Sequence, residues 1–247
     1  MGQDRVFLQT TARSSDLKFD AEVAEVFDDM LVRSVPFYLE QQQMISEIGK
    51  KFWIQDTNIY DLGCSTATTL INFCREIDES AGLIGYDNSI PMLERAKLKV
   101  KEAGFEKRLE LRFGDLNDEP WKLSLEDASV VTMCWTMQFV RPLRRDNLIR
   151  WIYSSLVENG ALLVTDKILT NSTHMNRFFI DFYYDFKRRK NYSEEEILRK
   201  REALENVLIP YRIDENLEMF RRNGFGIVET FFQWYNFVGF LCVKKPL

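Results

Sequence analysis

Apolar positions along this chain change period near residue 58 and again near residue 170. Val23, Val26, Phe27, Met30 and Leu31 recur at three- and four-residue spacing behind Asp20, an N-cap residue type, and predict a helix. It should stop near Ser34-Val35-Pro36, because proline disfavours helix in the residue before it. A second helix is predicted over residues 38–52. Strand-like runs then alternate with helical ones: strands at 58–63, 82–87, 109–113 and 128–134, helices at 68–77 and 92–103. A helix over 143–156 leads to a fifth strand at 161–166, with Glu158-Asn159-Gly160 read as a glycine stop between them. Beyond it Met175, Phe178, Phe179, Phe182 and Phe186 form an aromatic stripe at helical spacing, and helices are predicted over 194–207 and 214–222. Two last strands, 225–232 and 237–243, lie close enough to pair as a hairpin.

Strands alternating with helices imply a parallel sheet joined by right-handed crossovers. The expected fold is therefore α/β, a doubly wound, mostly parallel seven-stranded sheet with a C-terminal antiparallel hairpin. It forms one domain over residues 19–247, with a helical insertion at about 171–212. Residues 1–18 are polar and aperiodic and read as a mobile N-terminal arm.

Composition narrows the function more by exclusion than by assertion. The longest apolar stretch, residues 231–243, is interrupted by Gln233 and Asn236 and is too short to span a bilayer; no secretory signal pattern opens the chain. No membrane association is expected. Cys64, Cys74, Cys134 and Cys242 are scattered without a C-x-x-C pair, which argues against a disulfide framework or zinc site and fits the reducing cytoplasm. With His174 as the single histidine, a Ser-His-Asp triad and a His-rich metal site are nearly excluded, and no metal is expected. His174 itself reads as an exposed loop or helix-start residue. A net charge of −5 opposes tight direct nucleic-acid binding, which needs a basic face.

Ligands on open α/β sheets bind at the carboxyl ends of the strands. The first strand ends Tyr60-Asp61-Leu62-Gly63-Cys64-Ser65, where Gly63 permits a sharp turn and a close ligand approach. No second or third glycine follows, so the loop suits a nucleoside without pyrophosphate better than NAD or FAD. Asp87 ends the second strand, where a carboxylate can accept both ribose hydroxyls; Asn88 follows, and Asp115 closes the third. Three acids at three successive strand ends favour a nucleoside with a positive centre, and S-adenosyl-L-methionine, a sulfonium, fits. Cys134, at the end of the fourth strand, faces the expected sulfonium and reads as a small buried residue rather than a reactive thiol. On the helix from Glu194, the residues Ile197, Arg201, Leu204 and Leu208 share one face, while Glu195–Arg199 and Glu196–Lys200 make outward pairs. Arg201 is thus expected to be buried and paired, either with an anionic ligand or with an internal or intersubunit acid.

The chain resembles the carboxy-S-adenosyl-L-methionine synthases, enzymes of the class I methyltransferase fold. The resemblance runs from Phe19-Asp20 to Asn236-Phe237. Its particular segments are Arg33-Ser34-Val35-Pro36 with Tyr38, Asp185-Phe186-Lys187-Arg188 and Leu204-Glu205-Asn206-Val207. The strand-end motifs Tyr60-Asp61-Leu62-Gly63-Cys64-Ser65 and Asp87-Asn88-Ser89 are shared by many methyltransferases. The resemblance implies a reaction in which S-adenosylmethionine and prephenate give carboxy-S-adenosylmethionine and phenylpyruvate, an ylide-like methyl carbon capturing the carboxylate that prephenate loses. A partner enzyme then uses the product to modify the tRNA wobble uridine. It also implies a cofactor site lined by Tyr38, Gly63, Cys64, Ser65, Asp87, Asn88, Asp115 and Leu116, with Arg201 pairing the new carboxylate, from the other subunit of a homodimer if not its own.

Two departures stand out. Thr66-Ala67-Thr68-Thr69 replaces the family's glycine-containing loop, and Cys134 stands where relatives carry an asparagine, whose hydrogen bonds a thiol cannot supply. The competing readings are an ordinary methyltransferase acting on a small molecule or RNA, a nucleotide-dependent oxidoreductase, and a non-catalytic nucleoside-binding module.

Overall fold

The computed structural model describes residues 4, 6, 17–118 and 123–245. Five strands run parallel: β1 (Asn58–Leu62), β2 (Gly82–Asp87), β3 (Leu109–Phe113), β4 (Ala128–Cys134) and β5 (Leu156–Leu169). A two-residue β6 (Tyr211–Arg212) pairs with β5 outside the main path. β7 (Ile227–Trp234) and β8 (Phe237–Val243) form the hairpin, and β8 joins β5 antiparallel. The main path is β3-β2-β1-β4-β5-β8-β7, a mostly parallel seven-stranded sheet as expected. Its order reverses beside β1, where β2 lies on one side and β4 on the other, so the ligand crevice opens there.

Period-two alternation splits each strand between two cores. Tyr60, Leu62, Ile84, Val131, Met133 and Val164 face one way, against α5 (Pro142–Ser155) and α8 (Ile213–Arg222). Ile59, Leu83, Val130 and Leu163 face the other, against α2 (Tyr38–Phe52), α3 (Thr68–Glu76) and α4 (Ile90–Glu102). α1 (Ala21–Ser34) opens with the Asp20 cap, whose side chain accepts from the Val23 N–H at 3.1 Å. It packs Val23, Phe27 and Met30 on Met92 of α4.

The insertion consists of α6 (Thr173–Arg189) and α7 (Glu194–Leu204). Arg145, 1% exposed, anchors the chain's return from it: its guanidinium donates to the carbonyls of Gln138, Val140 and Ile209 and lies 4.2 Å over the Tyr211 ring. Within the expected mobile arm, Asp4 is 1% exposed, and it accepts from the Tyr192 hydroxyl and the Arg33 guanidinium. The Leu17 N–H donates to the Ala203 carbonyl at 2.8 Å. Most of that arm lies outside the described residues.

The largest boundary difference is at the start of β5, at Leu156 rather than 161; α7 also stops at Leu204 rather than 207, and β7 runs Ile227–Trp234 rather than 225–232. Gly160 does not stop α5, which ends at Ser155; β5 starts at once at Leu156 and contains Gly160. The left-handed residue there is Asn159, at φ 63°. What requires glycine is close approach: a Cβ at 160 would lie 2.9 Å from the Val157 carbonyl oxygen and 3.0 Å from that of Ser129. Gly160→Ala should destabilise the fold by about 1–3 kcal/mol, since backbone must move. A lower urea midpoint with unchanged slope checks this.

Candidate active site

The strand ends meet in one pocket, and the turn after β1 forms its floor. Gly63 (φ 81°) and Cys64 both donate to the Tyr86 carbonyl, at 2.8 and 2.9 Å, and Thr136 packs so closely that a Cβ at 63 would meet it at 2.4 Å. Only glycine fits this turn. The Ser65 N–H then donates to one Asp87 carboxylate oxygen and the Ser89 N–H to the other, both at 2.8 Å. Asp87 thus fixes the β1 and β2 loops together, and its remaining lone pairs stay available to ligand hydroxyls.

The loop without further glycines still takes a glycine-like path: Ser65 and Ala67 sit at φ 47° and 62°. A polar clamp braces it. Asp28 of α1 accepts from the Thr66 hydroxyl and from the Lys99 ammonium, both at 2.6 Å, and Lys99 also donates to Thr68 at 2.6 Å. Sequence reasoning missed Asp28 and Lys99, since an acid on α1 and a base on α4 carry no spacing signal.

Asp61, Asp87 and Asp115 all line the pocket, as do Asn88 and Leu116. Asp61 is 1% exposed; burial pushes its carboxyl up to about 7, against the 2.6 Å hydrogen bond from Thr132 that favours ionisation. Burial also raises Asp87. A cationic ligand beside these acids would stabilise their charged forms, so the residues present fit a sulfonium or ammonium group. Gly63, Cys64, Ser65, Asp87 and Asn88 all line this part of the pocket.

Tyr38 and Cys134 also line the pocket, within reach of the Asp61 charge. Burial raises both hydroxyl and thiol, which keeps Cys134 an unreactive protonated group, as its setting in the sequence suggests. His174 lies exposed in the first turn of α6.

Arg201 is the site residue that the structure does not bring in. It is exposed and outside the pocket, and the buried face of α7 is Glu196, Ile197 and Lys200. The predicted stripe took Leu208 as its fourth member, but α7 ends at Leu204. A Ser193–Glu196 capping box turns the Glu196 side chain to the helix start, and Glu196 and Lys200, expected to pair outward, both stand on the buried side. Glu195 and Arg199 do pair outward. The basic side chains in the pocket are Lys200 and Lys167, neither foreseen. Among the described residues no cluster of three or more His, Cys, Asp or Glu could hold a metal, and no helix is long and apolar enough to cross a membrane.

Comparison with known proteins adds names to this geometry. A methyltransferase-domain family profile matches residues 59–160. The carboxy-S-adenosyl-L-methionine synthase of Methylococcus capsulatus is 48% identical over 249 residues, covering 99% of this chain and 100% of the relative. That of Sulfurimonas denitrificans is 45% identical over 242 residues, covering 98% and 99%. Among solved structures, an O-methyltransferase family protein of Burkholderia thailandensis superposes with TM-score 0.67 at 14% identity, over 98% of this chain and 67% of that one. PigF, solved with SAH, gives 0.61 at 14%, over 91% and 60%. At these identities the structures speak for the fold alone, which is that of the class I methyltransferases.

The raised Asp61 carboxyl sets a pH dependence. A cation bound beside it favours the ionised form, so its affinity should be full above pH 7 and fall as the pH drops below it. Calorimetric titration with S-adenosylmethionine from pH 8 to pH 5.5 reads this out; Asp61→Asn should weaken binding and flatten the profile.

Proposed function

This chain belongs to the carboxy-S-adenosyl-L-methionine synthase family, and from that premise we propose that it makes carboxy-S-adenosyl-L-methionine from S-adenosyl-L-methionine and prephenate, releasing phenylpyruvate and water, the water formed from the leaving prephenate hydroxide and one sulfonium-methyl proton. The observation that carries the reading is near-full-length identity joined to an acid-lined pocket at the β1 switch point. S-adenosylmethionine, when bound, supplies the activated methyl carbon that receives the carboxyl group.

Each pocket residue then has a task. Gly63, Cys64 and Ser65 pass the ligand closely, Asp87 and Asn88 hold its ribose, Asp115 and Leu116 flank its adenine, and Asp61 offsets its positive charge. Tyr38 and Cys134 close the wall at the reacting end. Arg201 pairs the new carboxylate, and because it is exposed on its own chain it does so in the pocket of a second copy within a homodimer. The apolar face of α6 supports that assembly, since Met175, Phe178 and Phe182 are 42%, 43% and 42% exposed.

A net charge of −5 supports a producer of a small metabolite that leaves tRNA wobble-uridine modification to a partner enzyme. Four free cysteines support a cytoplasmic setting.

Mass spectrometry of the nucleoside that copurifies with the protein tests the reading. Carboxy-S-adenosylmethionine is expected, with roughly 10- to 100-fold less retained by Arg201→Ala, the range for losing a charged hydrogen bond. Finding only S-adenosylmethionine or S-adenosylhomocysteine, unchanged after incubation with prephenate, would instead identify an ordinary methyltransferase.

A further inference from the structure

Buried lysines gather where the insertion meets the sheet. Lys167 leaves β5 partly exposed and lines the pocket; Lys200 of α7 is 5% exposed and lines it too; Lys187 of α6, 3% exposed, stands behind them. The Tyr183 ring joins the first and last, with the Lys167 ammonium 4.5 Å and the Lys187 ammonium 4.8 Å from its centroid. Ser34 joins the ring to Lys200, since the Tyr183 hydroxyl donates to its carbonyl at 2.9 Å and the Lys200 ammonium to its hydroxyl at 3.2 Å.

The carboxylates nearby are mostly committed elsewhere. Asp29 pairs with Arg33 at 3.5 Å, and Glu196 accepts from the Ser193 N–H at 2.7 Å. Asp4 accepts from the Tyr192 hydroxyl and lies 4.0 Å from Lys200. Among the described residues, Lys167 and Lys187 have no carboxylate within ion-pair distance and no side-chain hydrogen bond, only aromatic faces. Lys167 and Lys187 are thus cations without a carboxylate in a place where that is costly, and the Lys200 charge, itself paired with Asp4 at 4.0 Å, repels both.

A second observation lies against the same group. Trp135 lines the pocket in the left-handed region at φ 61°, and its buried indole N–H has no acceptor among the described residues. Its ring packs on Phe237 at 5.5 Å, and the Lys167 ammonium is 5.4 Å from that same ring. Excess positive charge and an unused buried donor thus meet around one ring, Phe237, while the acids stand at the ends of β1, β2 and β3.

We propose that Lys167 and Lys200, with the Trp135 indole N–H beside them and Lys187 behind, form an anion subsite that binds a carboxylate of the donor substrate. The assignment rests on the donor's being prephenate, a dicarboxylate. Charge-assisted hydrogen bonds from the ammonium groups hold the carboxylate, while the acids at the strand ends hold the sulfonium partner.

The subsite should titrate. Burial pushes both Lys167 and Lys200 down to about 8. For Lys200, Asp4, Glu196 and Asp29 oppose the shift and Arg33 adds to it; for Lys167, the Lys200 charge adds to it. Burial and the two pocket lysines lower Lys187 well below its ordinary value, against Asp4. The protonated, anion-binding forms are present below pH 8 and lost above it, so the KM for prephenate should climb as pH rises through 8.

Steady-state kinetics on the full chain, with carboxy-S-adenosylmethionine quantified by mass spectrometry, tests this. Lys167→Met and Lys200→Met should each raise the KM for prephenate roughly 10- to 100-fold and flatten its climb above pH 8, with Lys167→Arg closer to the parent. S-adenosylmethionine affinity, measured by calorimetry, should stay within about twofold and certifies the fold of each variant. If Lys200→Met does not fold, the Lys167 pair decides. An unchanged KM in a folded Lys167→Met, or a fall in kcat alone, overturns the subsite while leaving the synthase reading intact. Should the parent protein make no product from prephenate, that reading fails by itself, and phenylpyruvate binding then judges the subsite. Binding to the parent that Lys167→Met abolishes supports it, and binding equal in both, or absent from the parent, overturns it.

Discussion

The pocket depends on Asp87, a carboxylate held almost out of water at the end of β2. Its two oxygens accept the Ser65 and Ser89 N–H groups, so one side chain fixes the turn after β1 and the start of α4. Ser89 in turn caps α4 and donates its hydroxyl to the Phe19 carbonyl, which carries the constraint to the segment before α1. Because α1 also reaches the glycine-free loop through Asp28, the N-terminal helix is part of the site's frame rather than an appendage. Charged groups buried in this way are tolerable only when hydrogen-bonded, and here each bond also positions a loop.

The same economy divides the cavity electrically. Asp61, Asp87 and Asp115 occupy the strand ends on one side, and Lys167 and Lys200 the border with the insertion on the other. Burial raises Asp61 and Asp87 and lowers both lysines, so all four drift toward neutrality without a ligand. A sulfonium at one end and a carboxylate at the other would restore every charge. The polarity of the cavity therefore favours an oppositely charged pair of ligands over either two cations or two anions.

Much of this was legible in the sequence where the physics is local. The limits of β2, β3, β4 and β8 follow from short apolar runs bounded by turn residues, and Asp20 sits at the helix start that it caps. Gly63, Asp87 and Asp115 were visible because a strand end constrains what can stand there. Gly160 was misread because a stop signal and a close backbone approach demand the same residue, and only the neighbouring Ser129 carbonyl tells them apart. Arg201 was misread for a related reason. Between two adjacent bases on a short helix, the buried one is chosen by what packs on it, and Ser34 and Asp4, far away in sequence, select Lys200. Lys167 was not singled out, for the same lack of any local mark.

Arg201 and Lys200, neighbours in sequence, point to different faces of α7, and that divergence has a consequence for the proposed reaction. The donor arrives with carboxylates that need partners before any chemistry occurs, whereas the product carries a carboxylate only afterwards, on what had been a cation. A single arginine serving both would hold donor and product alike and gain nothing in the step between them, because only differential interactions accelerate a reaction. Separate cations would avoid this: in the proposed reaction, lysines inside the pocket would seat the donor, and an arginine from a second copy would meet the carboxylate where it is newly made. In that arrangement the pocket built by one chain would bind both substrates, and the second copy's contribution would be kept for the product.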